Sequence, residues 1–291
     1  MGTSQPSNGP LNKTPLVPSW LPDDSTPTAP DGDQNTDGGT DQLLSPEENT
    51  PPKDSARPVI EIPPQPRRYQ RPRSQFKDYV RGNSVAGRKA IGGYVRKGAG
   101  GAKNAVKKMG GARKTAGNIV QVFQSIQNNG LSETLNNFNL SSLSGKSPVE
   151  ICIGLTEVIC HNQHGGPIDE AIARDAWLDT VSTLSDLGIA NLEDLTTEQV
   201  EAVFIEFVTN SIQCRIIQDI GTETLEISDT IAQVEDLEVQ LHEYVHNTVK
   251  DSFSVEFENM TAWNEKDISG IVDDTYLSTF NLLEDNEDEQ S

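Results

Sequence analysis

The sequence has little cysteine, no long apolar run and far fewer basic than acidic residues. Its cysteines, Cys152, Cys160 and Cys214, are odd in number and have no paired spacing. This predicts reduced core thiols rather than a disulfide framework. No apolar run approaches the roughly 18 residues of a membrane span, and the first residues lack the basic and apolar regions of a secretory signal. These absences predict a soluble, cytoplasmic protein without a membrane segment.

The basic residues are concentrated in one segment. The chain has 23 basic and 44 acidic side chains and a net charge of −21. Residues 67–114 hold 15 of the basic side chains and one acidic side chain, whereas residues 115–291 hold 33 of the acidic ones. Such a basic segment can dock on the chain's own acidic body, on an acidic partner protein or on nucleic acid.

The first 66 residues are poor in large apolar side chains and rich in Pro, Asp, Thr, Ser and Gly. They cannot bury enough surface to offset the entropy of ordering, so we predict a long disordered N-terminal region with an acidic linker at 23–66. Residues 1–22 differ because they contain an apolar cluster on a proline-stiffened backbone, which predicts a docking peptide. Its anchors are Leu16, Val17, Trp20 and Leu21.

Most of the remaining chain has apolar residues at helical spacing, and no segment shows the alternation of a strand. The spacing and the capping residues predict helices over 115–129, 147–161, 168–187, from Thr196 or Thr197 to 221, after Ser228 and, weakly, near 268–283. We therefore predict a mostly α protein. Its helical bundle-like body spans 115–255, and an acidic C-terminal extension spans 256–291.

Residues 67–114 are predicted to form a basic, glycine-rich helical arm. Its apolar pairs indicate two or three short helices, but interior glycines weaken each helix, so these helices need packing partners. Interleaved aromatic residues would suit stacking on single-stranded nucleic acid. A nucleic-acid adaptor is therefore one alternative, which the acidic residues of the same chain disfavour. The basic residues expected to take part are Arg96, Lys97, Lys103, Lys107, Lys108, Arg113 and Lys114.

His242 and His246 belong to the pattern His-Glu-Tyr-Val-His. On a helix the two histidines share a face and could bind Zn²⁺, with Glu243 as general base. Glu265, further along the chain, would be the third ligand, an order that resembles the gluzincin metallopeptidases. The pattern is weak alone, and a helical body offers no edge strand for a peptide substrate. We therefore predict no metal, no cofactor and no catalytic residue, with a zinc metallopeptidase as the second alternative.

Five parts of the sequence carry distinctive motifs: Met1-Gly-Thr-Ser with Thr14-Pro-Leu-Val-Pro-Ser-Trp-Leu-Pro, Gly93-Tyr-Val-Arg-Lys-Gly-Ala-Gly-Gly-Ala-Lys-Asn-Ala with Lys108-Met-Gly, Ile168-Asp-Glu-Ala-Ile-Ala-Arg-Asp-Ala, Asp219-Ile-Gly-Thr and Gln240-Leu-His. Together these motifs resemble the QatB family, the B component of the Qat anti-phage defence system. The resemblance covers about residues 1–250 apart from the acidic linker, and the chain departs from the family pattern after about Val255. It also speaks against the metallopeptidase, because the family does not look like one.

The resemblance implies a bacterial antiviral operon of four genes. The other three would encode an ATPase, an enzyme similar to the deazaguanine-forming QueC and a TatD-like nuclease. It implies no catalytic residue for this chain. Because removal of Met1 would expose Gly2 at the start of the docking peptide, ahead of its apolar anchors, we predict a non-enzymatic adaptor or substrate subunit that presents Gly2 to the QueC-like enzyme. The ATPase and the nuclease are further expected partners.

Overall fold

The computed structural model describes residues 67–161, 166–222, 231–253 and 257–285. All of them belong to one unit, Ile62–Ser291. Helices make up most of these residues, and none of these residues forms a strand. The prediction of a mostly α fold is therefore confirmed. The predicted docking peptide and acidic linker, residues 1–66, lie outside the described residues.

The described helices are numbered here in chain order. Helices α1 to α11 span Gln70–Val80, Ser84–Gly93, Ala102–Lys107, Gly110–Asn129, Leu131–Asn137, Pro148–Gly154, Thr156–Cys160, Pro167–Ser182, Thr197–Ile216, Ile231–Ser252 and Glu265–Asp285. Two π-helical turns, Tyr94–Ala99 and Ile217–Gly221, follow α2 and α9.

Two helix starts form as the sequence predicts. At α6 the Ser147 hydroxyl accepts a hydrogen bond from the Glu150 backbone N–H, and the Glu150 carboxylate accepts one from the Ser147 N–H. Thr196 and Gln199 form the same reciprocal arrangement at α9, which decides between the two candidate caps in favour of Thr196. In both places local side chains satisfy N–H groups that the first helical turn leaves unpaired.

Three predicted helix extents are wrong. The single helix predicted over 147–161 is divided at Leu155 into α6 and α7. Helix α8 ends at Ser182 rather than Leu187, because the hydroxyls of Ser182 and Thr183 donate to the carbonyl groups of Asp179 and Thr180 and so compete with the next helical turn. Helix α4 begins at Gly110 rather than Thr115. Its first turn is held by packing against the rest of the protein, which outweighs the poor helix propensity of glycine.

Helix α9 lies at the centre of the fold. Its buried residues are distributed around the whole helix, as expected for a helix that is covered on all sides. It packs against α4, α8 and α10, the last of which carries both predicted metal-binding histidines. This position brings the middle of α9 next to His242 and His246.

One hydrophobic core runs through all three segments that composition distinguishes. Phe76 and Tyr94 come from the basic arm, Phe204 from the body, and Tyr276 and Phe280 from the acidic extension, and each is fully buried. The helix predicted near 268–283 is present as α11, which is longer than predicted and packs on α2, α3, α4 and α10. The basic arm and the acidic extension are therefore integral parts of the folded unit.

Candidate functional site

The basic arm docks on acidic residues of the same chain. Four of its seven predicted contact residues form ion pairs with carboxylates that lie at or beyond position 219. The pairs are Arg96 with Glu284 at 3.8 Å, Lys108 with Asp219 at 3.3 Å, Arg113 with Asp273, and Lys114 with Glu265 at 3.9 Å. Of the three docking options that the sequence leaves open, these contacts support intramolecular docking.

The two π-helical turns meet at a polar junction. The Tyr94 hydroxyl donates to Asp219 Oδ2 at 3.0 Å, and each residue belongs to one of the two turns. Burial and the neighbouring Asp219 carboxylate raise the pKa of Tyr94 well above its usual value, so the phenol keeps the proton that it donates. A π-turn shifts the side chains of a helix out of regular register and is frequent at functional sites.

Lysine and arginine complete this junction. Lys108 donates both to Asp219 Oδ2 and to the Tyr69 hydroxyl, and Arg73 Nη2 donates to the Asp219 carbonyl oxygen at 3.0 Å. The guanidinium carbon of Arg73 and the Lys108 ammonium nitrogen lie 5.8 and 5.0 Å from the centre of the Tyr69 ring, within cation–π range. The junction thus ties the start of the arm to the end of α9 through charged and aromatic groups.

A second contact joins the arm to the C-terminal helix. Glu284 Oε2 accepts a hydrogen bond from the backbone N–H of Ala102 at 3.0 Å, at the first residue of α3. Gly100 and Gly101 lead into this helix with φ of +87° and +97°, a backbone conformation that favours glycine. The glycine pair therefore creates the turn that allows a distant carboxylate to cap α3.

Helices α9 and α10 bring one carboxylate to two imidazoles. Glu206 Oε1 lies 3.5 Å from His242 Nε2, and Glu206 Oε2 lies 3.4 Å from His246 Nδ1. One ligand atom from each of the three residues lies within 4.8 Å of the other two. Among the described residues, these three side chains form the cluster of His, Cys, Asp or Glu that lies close enough together to hold a metal ion.

Neighbouring side chains fix the orientation of this cluster. The Gln213 amide oxygen lies 3.1 Å from His242 Nδ1, and His242 Nε2 faces Glu206. The amide oxygen can accept a proton carried by Nδ1, which orients the ring. Burial acts to raise the pKa of Glu206, but His246, His242 and Asn210 outweigh it, and the net effect is a lowered pKa. Glu206 is therefore a buried carboxylate that carries its charge.

The residues of the zinc-metallopeptidase alternative are only partly brought together. His242 and His246 share a face of α10, as their spacing predicts. Glu243 instead lines a separate cavity of about 270 Å³ with Tyr79 and Arg88. Glu265 lies at the start of α11, where it pairs with Lys114. The general base and the third ligand of a metallopeptidase are thus both outside the histidine cluster.

Sequence reasoning missed Glu206. It stands in the apolar run Val203-Phe-Ile-Glu-Phe-Val208, which forms the centre of α9. A charged residue in such a run must find a partner because an isolated buried carboxylate is very costly. That rule points to Glu206 as a residue with a special partner, although only the packing of α9 against α10 shows that the partners are histidines.

The other predicted contact residues have two outcomes. Lys97, Lys103 and Lys107 are exposed on the arm. Gly2 and the apolar anchors lie outside the described residues, and they stay predictions. These anchors are Leu16, Val17, Trp20 and Leu21.

The comparisons with known proteins give one family. The family model of the Qat anti-phage system associated protein QatB matches residues 100–283, more than half of the chain. No curated protein and no solved structure matches the chain. In the part of the chain that the structure describes, no helix is both long and apolar enough to cross a membrane. The match covers the end of the arm, the body and most of α11, so the prediction that the family pattern ends near Val255 is wrong. On the basis of this match the chain belongs to the QatB family of the Qat anti-phage system.

Proposed function

We propose that this chain is a non-enzymatic adaptor or substrate subunit of a Qat-type antiviral complex in the cytoplasm, and that it presents Gly2 to a QueC-like partner enzyme. The observation that carries the proposal is the position of the family match. It falls on the helical unit after residue 67, whereas the apolar peptide with Leu16 and Trp20 lies far upstream. The helical unit holds the chain in the complex, and the N-terminal peptide reaches the partner.

The composition of the N-terminal region suits this role. Proline restricts the backbone of residues 14–22, so binding of this peptide in a groove loses little conformational entropy. The acidic, proline-rich linker at 23–66 works as a tether that raises the local concentration of the peptide at the partner. A small N-terminal residue upstream of this peptide leaves the N-terminal amine accessible to a modifying enzyme.

The geometry favours this function over both alternatives. Arg96, Lys108, Arg113 and Lys114 are engaged by the chain's own carboxylates, which lowers the charge that the arm can offer to phosphates. The metallopeptidase alternative loses its general base and its third ligand, because Glu243 and Glu265 lie elsewhere. The ATPase and the TatD-like nuclease of the operon remain further proposed partners.

Intact-mass spectrometry of the chain tests the proposal directly. The chain is expressed alone and together with its neighbouring operon genes. We expect a mass increase that requires the QueC-like enzyme and that peptide mapping places on Gly2. Gly2→Glu should abolish both the mass increase and protection of the host against phage, because it removes the small N-terminal residue. Asp33→Asn, a change in the linker, is the matched control and should keep both.

Deletion of residues 2–22 separates presentation from folding. The described core begins at Tyr69, so the melting temperature should not change while phage protection is lost. Full phage protection by either the Gly2→Glu or the deletion variant would contradict the proposal. If the mass stays unchanged but the subunits still copurify, the chain is a scaffold rather than a substrate.

A further inference from the structure

We propose that Glu206, His242 and His246 form a binding site for one divalent transition-metal ion, of which Zn²⁺ fits best. The site joins α9 to α10, and a fourth coordination position remains for water or for a ligand atom of a partner. It differs from the metallopeptidase pattern, since its carboxylate is Glu206 of α9 rather than the downstream Glu265. It is independent of the proposed presentation of Gly2.

The distances match the space that a metal ion needs. Zn²⁺ binds histidine nitrogen and carboxylate oxygen at about 2.0–2.2 Å, so a tetrahedral site places neighbouring ligand atoms about 3.3–3.6 Å apart. The two Glu206–histidine separations are 3.5 and 3.4 Å. These values exceed the 2.7–2.9 Å or so of a charge-assisted hydrogen bond between nitrogen and carboxylate. The two separations join different oxygens of Glu206, so each carboxylate oxygen faces one imidazole at a ligand-like distance. One ligand atom from each of the three residues lies within 4.8 Å of the other two.

The hydrogen bonds around the cluster also suit a metal site. Metal-binding histidines usually donate their second ring N–H to a nearby oxygen, which fixes the ring and its tautomer. Gln213 supplies that oxygen to His242. His246 Nδ1 is buried and has no hydrogen bond, although the Glu206 carboxylate lies beside it. A buried ring nitrogen that faces a carboxylate and a second imidazole is an arrangement that a shared cation would satisfy.

The surrounding charge favours a cation. Asp179 of α8 lies close enough to Glu206 and His242 to interact electrostatically with both, and Asp175 adds a further negative charge. Two imidazoles and one carboxylate are a ligand set that Zn²⁺ accepts readily, whereas Mg²⁺ and Ca²⁺ prefer oxygen ligands throughout. The ligand set therefore selects a transition metal.

Direct binding to the full-length chain tests the proposal. The protein is stripped with a chelator and titrated with Zn²⁺ by calorimetry, and Co²⁺ serves as a spectroscopic probe. We expect one Zn²⁺ per chain and the intense visible absorption of tetrahedral Co²⁺. Glu206→Gln and His246→Ala should each weaken Zn²⁺ binding at least about tenfold. His161→Ala is the matched control, because His161 lies outside the cluster, and it should bind like the wild type.

A thermal measurement distinguishes metal binding from a histidine–glutamate ion pair. Saturating Zn²⁺ should raise the melting temperature of the wild type by about 5 °C or more over the chelator-treated protein. The Glu206→Gln variant should lose that difference, whatever its own stability. Zinc at a small fraction of one equivalent on the wild type, or a Glu206→Gln variant that binds Zn²⁺ as tightly as the wild type, would overturn the proposal.

Discussion

Individual glycines decide how closely the basic arm approaches the body. A Cβ atom at Gly111 would lie 2.8 Å from the backbone carbonyl oxygen of Asp169, closer than packed atoms allow. Asp169 in turn binds Arg215 at 2.7 Å, so it is held in place from a third element. The adjacent Gly110 has no atom within 4 Å of its own Cβ position. Two neighbouring glycines of one helix therefore have different roles.

This difference gives a prediction for Gly111→Ala. Alanine favours the helix by about 1 kcal/mol over glycine, but crowding against the Asp169 backbone costs about 1–3 kcal/mol. We expect a net loss of about 1 kcal/mol in the free energy of unfolding, measured by urea denaturation. Gly110→Ala is the control and should be neutral or slightly stabilising. Equal unfolding midpoints for the two variants would show that the close approach to Asp169 does not constrain the fold.

At the scale of single helices, α11 shows how an acidic composition can hide a core element. Its buried residues recur every three or four positions, whereas its acidic residues lie mainly between them. Phe280 is fully buried, and the hydroxyl of Tyr276 shares a hydrogen bond of 2.7 Å with Ser211 of α9. Helix α11 therefore completes the core on the side of α4 and α10.

Phe280→Ala should consequently destabilise the whole unit. Truncation of a buried phenylalanine typically costs about 3–5 kcal/mol, because it removes apolar contacts and leaves a cavity. Leu282 belongs to the same helix but is 38% exposed, so Leu282→Ala should cost less than about 1 kcal/mol. Urea denaturation followed by circular dichroism measures both. If the two variants lose the same stability, α11 does not pack as described.

The elements also show what the sequence could and could not predict. The starts at Ser147 and Thr196 depend on residues within one turn, so the sequence reveals them. The shared face of His242 and His246 is equally local. The third member of their cluster, Glu206, comes from a helix far away in sequence, and helical periodicity does not determine which helices pack together. The burial of α11 in the core is also not evident from the sequence, because the charge of a segment does not show which of its side chains are buried.

At the scale of the whole molecule, the stability depends on groups that are buried in their neutral form. Burial raises the pKa of Cys152 and of Cys160 to about 12 each. A cysteine in an unfolded chain has a pKa of about 8.5. Above that pH the unfolded chain loses thiol protons that the folded chain retains, so the free energy of unfolding falls as pH rises.

We therefore expect the protein to be less stable at pH 10 than at pH 7.5, by about 1–2 kcal/mol for each of these two thiols. Urea denaturation in reducing buffer at both pH values measures the difference. In Cys152→Ala the decrease in the free energy of unfolding between pH 7.5 and pH 10 should be smaller by the contribution of one thiol. The variant itself is less stable than the wild type at both pH values. A free energy of unfolding that does not change between pH 7.5 and 10 would show that these thiols ionise equally in both states.

The cap that Glu284 places on α3 sets an order of events during synthesis. The residues of α3 are translated long before Glu284, and the acidic partners of Arg96, Lys108 and Arg113 also come later in the chain. Folding on the ribosome proceeds from the N-terminus, so the nascent basic segment emerges without its carboxylates. During that interval its positive charge is open to polyanions such as ribosomal RNA. Asp219 is the first of these partners to be translated, and the pairing is complete only after the C-terminal helix has followed.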